Sequence, residues 1–79
     1  MGRAGNALRQ VLISYEIKRS QLAKTMGINP AVMSRWVSEE RDPLAEALFE
    51  IYRALRKLNP EAAEEFIRLF LKDARDDEA

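Results

Sequence analysis

The chain has 79 residues with an apolar fraction of 47%, which sets the expectation of one small domain near the lower limit for an unaided hydrophobic core. It has no cysteine and no histidine, which excludes a disulfide framework and a thiolate zinc site and removes the commonest general base and metal ligand. Thirteen basic and thirteen acidic side chains balance to zero with a pI near 6.3, but residues 1–41 hold seven Lys/Arg against three Glu, a net of +4, and residues 42–79 hold six against ten, a net of −4.

Such polarity has two readings: a basic half turned toward phosphate with an acidic half facing away, or ordinary variation in surface charge. The N-terminal stretch MGRAGNALRQ contains no long apolar run. It reads as neither a signal peptide nor a membrane span, and the expectation is a soluble, cytoplasmic protein with no membrane partner.

Five helices and no strand are expected. Helix 1 spans roughly 6–15, with Asn6 as a cap and Leu8, Val11, Leu12 and Tyr15 on one face. Helix 2 spans 19–26, with Leu22, Ala23 and Met26 inward, and Gly27 ends it in a left-handed conformation. All three prolines follow Asn or Asp: Asn29-Pro30, Asp42-Pro43 and Asn59-Pro60. An Asn or Asp cap followed by proline marks a helix start, because the first amide would be unpaired anyway. Helix 3 therefore runs from Pro30 to Ser38, helix 4 from Pro43 to Lys57 and helix 5 from Pro60 to Ala74. Helix 4 turns Leu44, Leu48, Ile51, Tyr52 and Leu55 inward. The acidic end DARDDEA is expected to fray.

Helices 2 and 3 are joined by a short turn containing glycine, which is the helix-turn-helix arrangement. Its geometry asks for a small residue where the helices cross (Ala23), glycine at the corner (Gly27), an apolar plug after it (Ile28) and apolar residues one turn apart in the second helix (Met33, Trp36). Leu22 and Met26 complete the inward set.

On these residues, Arg19 to Trp36 resembles the helix-turn-helix of the Cro and lambdoid phage repressor family, also called the Xre family. LAKTMGI, MSRW and the Arg41-Asp42-Pro43 ending carry the likeness, which covers about residues 7–58. The resemblance implies a compact all-α domain of four to five helices, with helix 5 a less standard extension; with the five helices read above, the expected fold is a compact bundle of five helices with a central helix-turn-helix at 19–38. The resemblance also implies binding to double-stranded DNA, a bacterial or phage transcriptional regulator such as a repressor, and a dimer. The sequence departs from the family pattern in several places. Arg19 replaces glutamine at a phosphate-contacting position, Lys18 replaces the Ser or Thr cap, and Glu39 replaces a glycine. The second helix begins Pro30-Ala31, which offers no side-chain hydrogen bond.

Read on its own periodicity, helix 3 places Val32, Met33, Trp36 and Val37 on one arc and Pro30, Ala31, Ser34, Arg35 and Ser38 on the other. Small residues around one long basic side chain suit the major groove: the backbone approaches closely and the arginine reaches a guanine edge. Arg19, Asn29, Pro30, Ala31, Ser34, Arg35 and Ser38 are thus the expected DNA face, with Asn29 at the positive helix end suited to phosphate. Arg9, Lys18, Lys24 and Arg41 are candidates for the phosphate backbone, with a solvated face, or for Arg41 pairing with neighbouring acids, as the alternative. Trp36 is expected in the core. Glu61, Glu64 and Glu65 are explained by the helix dipole.

Helix 5 carries an apolar arc of about 200°, wider than the roughly 100° that one core needs. The surplus, drawn from Phe66, Ile67, Leu69, Phe70 and Leu71, is expected to meet a second copy. The whole chain, 1–79, is expected to form one domain. No catalytic residue, cofactor, metal or small-molecule ligand is expected. The competing reading is a protein-interaction module, an antitoxin or adaptor built on a helix-turn-helix. It draws on Glu39, Glu40 and the zero net charge.

Overall fold

A computed structural model of the chain describes residues 3–38, 41 and 43–76, with side chains to residue 72. Among them are five helices and no strand: α1 (Arg3–Ser14), α2 (Arg19–Met26), α3 (Pro30–Val37), α4 (Ala45–Leu58) and α5 (Pro60–Asp76). Glu39, Glu40 and Asp42, to which the sequence assigns loop and cap roles, lie outside the described residues.

Two of the three Asn/Asp-Pro starts behave as expected. The Asn29 side-chain oxygen accepts the Ala31 amide at 2.8 Å, and that of Asn59 accepts the amides of Glu61 and Ala62 at 3.0 and 3.4 Å. Helix α4 differs from expectation. It begins at Ala45, two residues after Pro43, with Leu44 as an extended N-cap whose side chain caps nothing. Pro43 takes the buried place instead, and Leu44, expected inward, is 79% exposed. Helix α1 also starts earlier than expected, at Arg3. Asn6 is therefore inside the helix and not its cap, and its oxygen accepts from the Arg9 guanidinium at 2.9 Å. Ala4, Gly5 and Ala7 are buried, and α1 packs against α5. That packing supports an extra turn for which local propensity gives no sign.

The ends of α1 and α2 close in the same way. After α2, the Ile28 amide returns to the Ala23 carbonyl at 3.0 Å and the Gly27 amide to Lys24 at 3.1 Å. After α1, the Ile17 amide returns to Leu12 at 2.9 Å and the Glu16 amide to Ile13 at 3.3 Å. Both are Schellman closures, which need a left-handed residue at the corner. Gly27 has φ 74° and Glu16 has φ 55°. Glycine occupies that region without steric cost, whereas a residue with a Cβ pays about 1 kcal/mol.

The core is one cluster. Leu8, Val11 and Leu12 of α1 meet Leu22 of α2, Met33, Trp36 and Val37 of α3, Ile51 and Leu55 of α4 and Phe66 of α5. Buried alanines 7, 23, 54, 62 and 63 let the helices approach closely. Helix α5 lies against both α4 and α1, α2 contacts α3 and α4, and α3 reaches α1. Among the described residues no polar or charged side chain is buried. On the outside of α5, a hydrogen bond from Arg68 holds the Glu65 carboxyl below the ordinary carboxylate range. Arg68 is more than half exposed, so this pair adds little to stability.

The two corners give opposite expectations. Glu16→Gly should stabilise the fold by up to about 1 kcal/mol, and Gly27→Ala should destabilise it by about 1–2 kcal/mol. Nothing lies within 4 Å of a Cβ built on Gly27, so the second cost is conformational and not a clash. Urea unfolding midpoints at constant slope would measure both, and an unchanged midpoint for Gly27→Ala would refute the assignment.

Candidate nucleic-acid interface

Every α3 residue proposed to face outward does so. Pro30, Ala31, Ser34, Arg35 and Ser38 are exposed, as are Asn29 and Arg19. The opposite arc is anchored, with Met33, Trp36 and Val37 buried and Val32 half-buried. Trp36 is 7% exposed, a core residue as expected. The division follows from an eight-residue helix whose apolar positions recur at i, i+3 and i+4.

Hydrogen bonding separates these residues further. The side-chain oxygen of Asn29 is committed to the Ala31 amide, so Asn29 is a helix cap before it is anything else. The Ser38 hydroxyl donates to the Arg35 carbonyl at 3.2 Å, and the Ser38 amide donates to Ser34 at 2.9 Å. Ser38 therefore closes the C-terminal turn. Ser34 and Arg35 have no side-chain partner among the described residues, and Arg35 is the one long side chain on the exposed arc.

The basic residues fall into two clefts. Arg35 and Arg41 line one between α3 and the start of α4, with Val32, Leu44 and Glu46. Lys18, Arg19 and Arg9 line another, where the end of α1 meets the start of α2 and the end of α3, together with Leu12, Ile13 and Ile17. Lys24 is exposed near the end of α2 and lines neither cleft. Arg9 is half-buried and donates to the carbonyl of Val37 at 3.4 Å, which the sequence reading did not foresee. Leu44 also escaped it, because its exposure depends on where α4 begins.

Lys18 is the N-cap of α2. Its backbone is extended, and its side chain makes no capping hydrogen bond.

An eight-residue helix, a left-handed glycine corner and a second eight-residue helix with one face open to solvent define a helix-turn-helix protein. The sequence pattern of the Cro/C1-type HTH DNA-binding domain matches residues 7–56, and the chain belongs to that family of DNA-binding domains. No curated protein and no solved structure compared with the chain matches it. No described helix is long and apolar enough to cross a membrane.

Lys18→Asn should supply the missing cap and raise stability by about 1 kcal/mol. Denaturant titration checks this, and no gain would mean that the α2 start is already satisfied.

Proposed function

We propose that residues 1–79 act as one small transcriptional regulator that binds double-stranded DNA sequence-specifically, as a homodimer, with α3 in the major groove. The observation that carries this is the outer face of α3. Ala31 and Ser34 keep the helix surface low, and Arg35, without a partner among the described residues, stands between them. In a groove such an arginine suits a bidentate contact to guanine O6 and N7, and Ala31 suits a thymine methyl. Arg19 and Lys18 at the start of α2, with Lys24 and Arg41, suit phosphate.

A pair of recognition helices about 34 Å apart reads a palindrome on one face of the duplex. The surface that suits a second copy is narrower than the sequence implied. Phe66 is fully buried within its own chain and lies at the bottom of a groove between α4 and α5, where it offers no exposed surface of its own. Leu69 turns toward α1, beside Asn6 and Gln10. Ile67 and Phe70 instead line an apolar groove with Leu48, Phe49 and Tyr52 of α4, and Leu71 is 41% exposed at its side. Phe49 is 59% exposed. Arg53 lies over the Phe49 ring at 5.8 Å and Arg56 over the Tyr52 ring at 5.9 Å. The interface proposed is thus the α4–α5 groove, with Ile67, Phe70 and Leu71 on one side.

Selection from a random duplex library tests the whole reading: a palindromic consensus is expected. A chain that is not retained on random duplex or heparin at low salt would instead be a protein-only adaptor. Arg35→Ala should cost roughly 1–3 kcal/mol, about 5- to 150-fold, at one base pair of each half-site and relax preference there. A uniform loss on all sequences would reduce Arg35 to a phosphate ligand. Phe49→Glu should give a monomer in sedimentation at micromolar concentration with the fold intact, and a surviving dimer would place the interface elsewhere.

A further inference from the structure

The outer face of α3 reads a base sequence only if the helix is held at a fixed angle, and eight residues provide little rigidity of their own. The last carbonyls of any helix lack partners within it. Among the described residues, two contacts at the end of α3 are local, from the amide and the hydroxyl of Ser38. A third comes from another element. Arg9, in the middle of α1, donates through Nη1 to the Val37 carbonyl at 3.4 Å and through Nη2 to the Asn6 side-chain oxygen at 2.9 Å. Asn6 lies one turn earlier on the same helix, so it fixes the guanidinium plane, and the guanidinium holds the end of α3. The hydrogen bond to Val37 is long. It gains from the full charge placed at the negative end of the α3 dipole. The Val37 side chain is buried, so this residue is gripped by its side chain on one side and its carbonyl on the other.

We propose that Arg9 is a positioning residue: with Asn6 it clamps the C-terminal end of α3 to α1 and so sets the angle at which α3 meets DNA. It is not a phosphate ligand. The DNA part of this proposal rests on the function proposed above.

The test compares Arg9→Met, which keeps the aliphatic stem, and Asn6→Ala, which alters no charge and places a better helix former in α1. Both are titrated with the selected duplex and with random duplex across a salt series, and amide hydrogen exchange is followed in the free proteins. Arg9→Met should weaken the selected duplex by about ten-fold, comparable with losing one base contact. Random-duplex affinity and the salt slope should hold, and the amides of Val37 and Ser38 should exchange faster. Asn6→Ala should show the same pattern more weakly, at an equal or higher melting temperature, which a merely structural role does not predict. Equal loss on both duplexes with the slope reduced by about 0.9 would make Arg9 a phosphate ligand and overturn the proposal. Unchanged exchange at Val37 and Ser38 would overturn it too. A parent chain with no preference between duplexes would refute the proposed function, and exchange in the free protein would still decide whether the clamp exists.

Discussion

The place where α3 begins is decided in the residues from Ala23 to Ile28. The left-handed Gly27 turns the chain, and the Ile28 amide is returned to the Ala23 carbonyl. Ala23 and its neighbour Leu22 are fully buried, so the fixed end of that hydrogen bond is part of the core. Ile28 packs against the same core, and the next residue, Asn29, caps the new helix. From there Met33, Trp36 and Val37 enter the core one after another, which fixes the face that α3 turns inward, while its far end is met by Arg9 of α1 at the Val37 carbonyl. The exposed arc is what the packing leaves over. Its content can therefore vary with little effect on folding, and this separates the exposed surface of α3 from the stability of the domain.

The family match ends at residue 56, inside α4, yet the fold does not. Phe66 of α5 is among the largest fully buried side chains, and Ala62 and Ala63 beside it are fully buried. Helix α5 is thus a structural member of the core and not an appendage to a four-helix unit. This matters in so short a chain, where few residues can be spared from the core. It also accounts for half of the wide apolar arc of α5: Phe66 and the alanines face inward, and Leu69 faces α1. What remains, Ile67, Phe70 and Leu71, joins the exposed aromatic edge of α4. On the α4–α5 side Arg68 is paired with Glu65, and Arg53 and Arg56 lie over aromatic rings; around α2 and α3, Lys18, Arg19, Lys24 and Arg35 have no partner among the described residues.

The helix-turn-helix was legible in the sequence because its determinants are local. A glycine at the corner, an Asn-Pro cap and apolar residues at one-turn spacing each act within four or five residues. The start of α4 departs from the same logic. Asp42-Pro43 matches the other two Asn/Asp-Pro starts, but tertiary packing draws Pro43 inward and delays the helix to Ala45, which turns Leu44 out. The left-handed Glu16 carries no sequence signal, since glutamate is not what that conformation favours. The contact of Arg9 with Val37 spans 28 residues, and no periodicity within one helix foretells a hydrogen bond to the end of another. Residue types announce what a backbone will do locally. They say less about which of several exposed cations the assembled helices will put to structural use.

The first turn of α3 sharpens what the proposed reading demands. Pro30 has no amide to offer, and the Ala31 amide is taken by the Asn29 cap. Neither side chain carries a polar group. The leading end of the helix is therefore restricted to shape and to methyl contacts. Hydrogen-bonded selection passes to Ser34 and Arg35, a full turn further along. Arg35 is exposed and lines a cleft with Val32, Leu44, Arg41 and Glu46. Few hydrogen-bonding groups also mean few independent base preferences for each copy. With so short a message, the proposed pairing of two copies on a palindrome would supply the discrimination that one reading helix lacks.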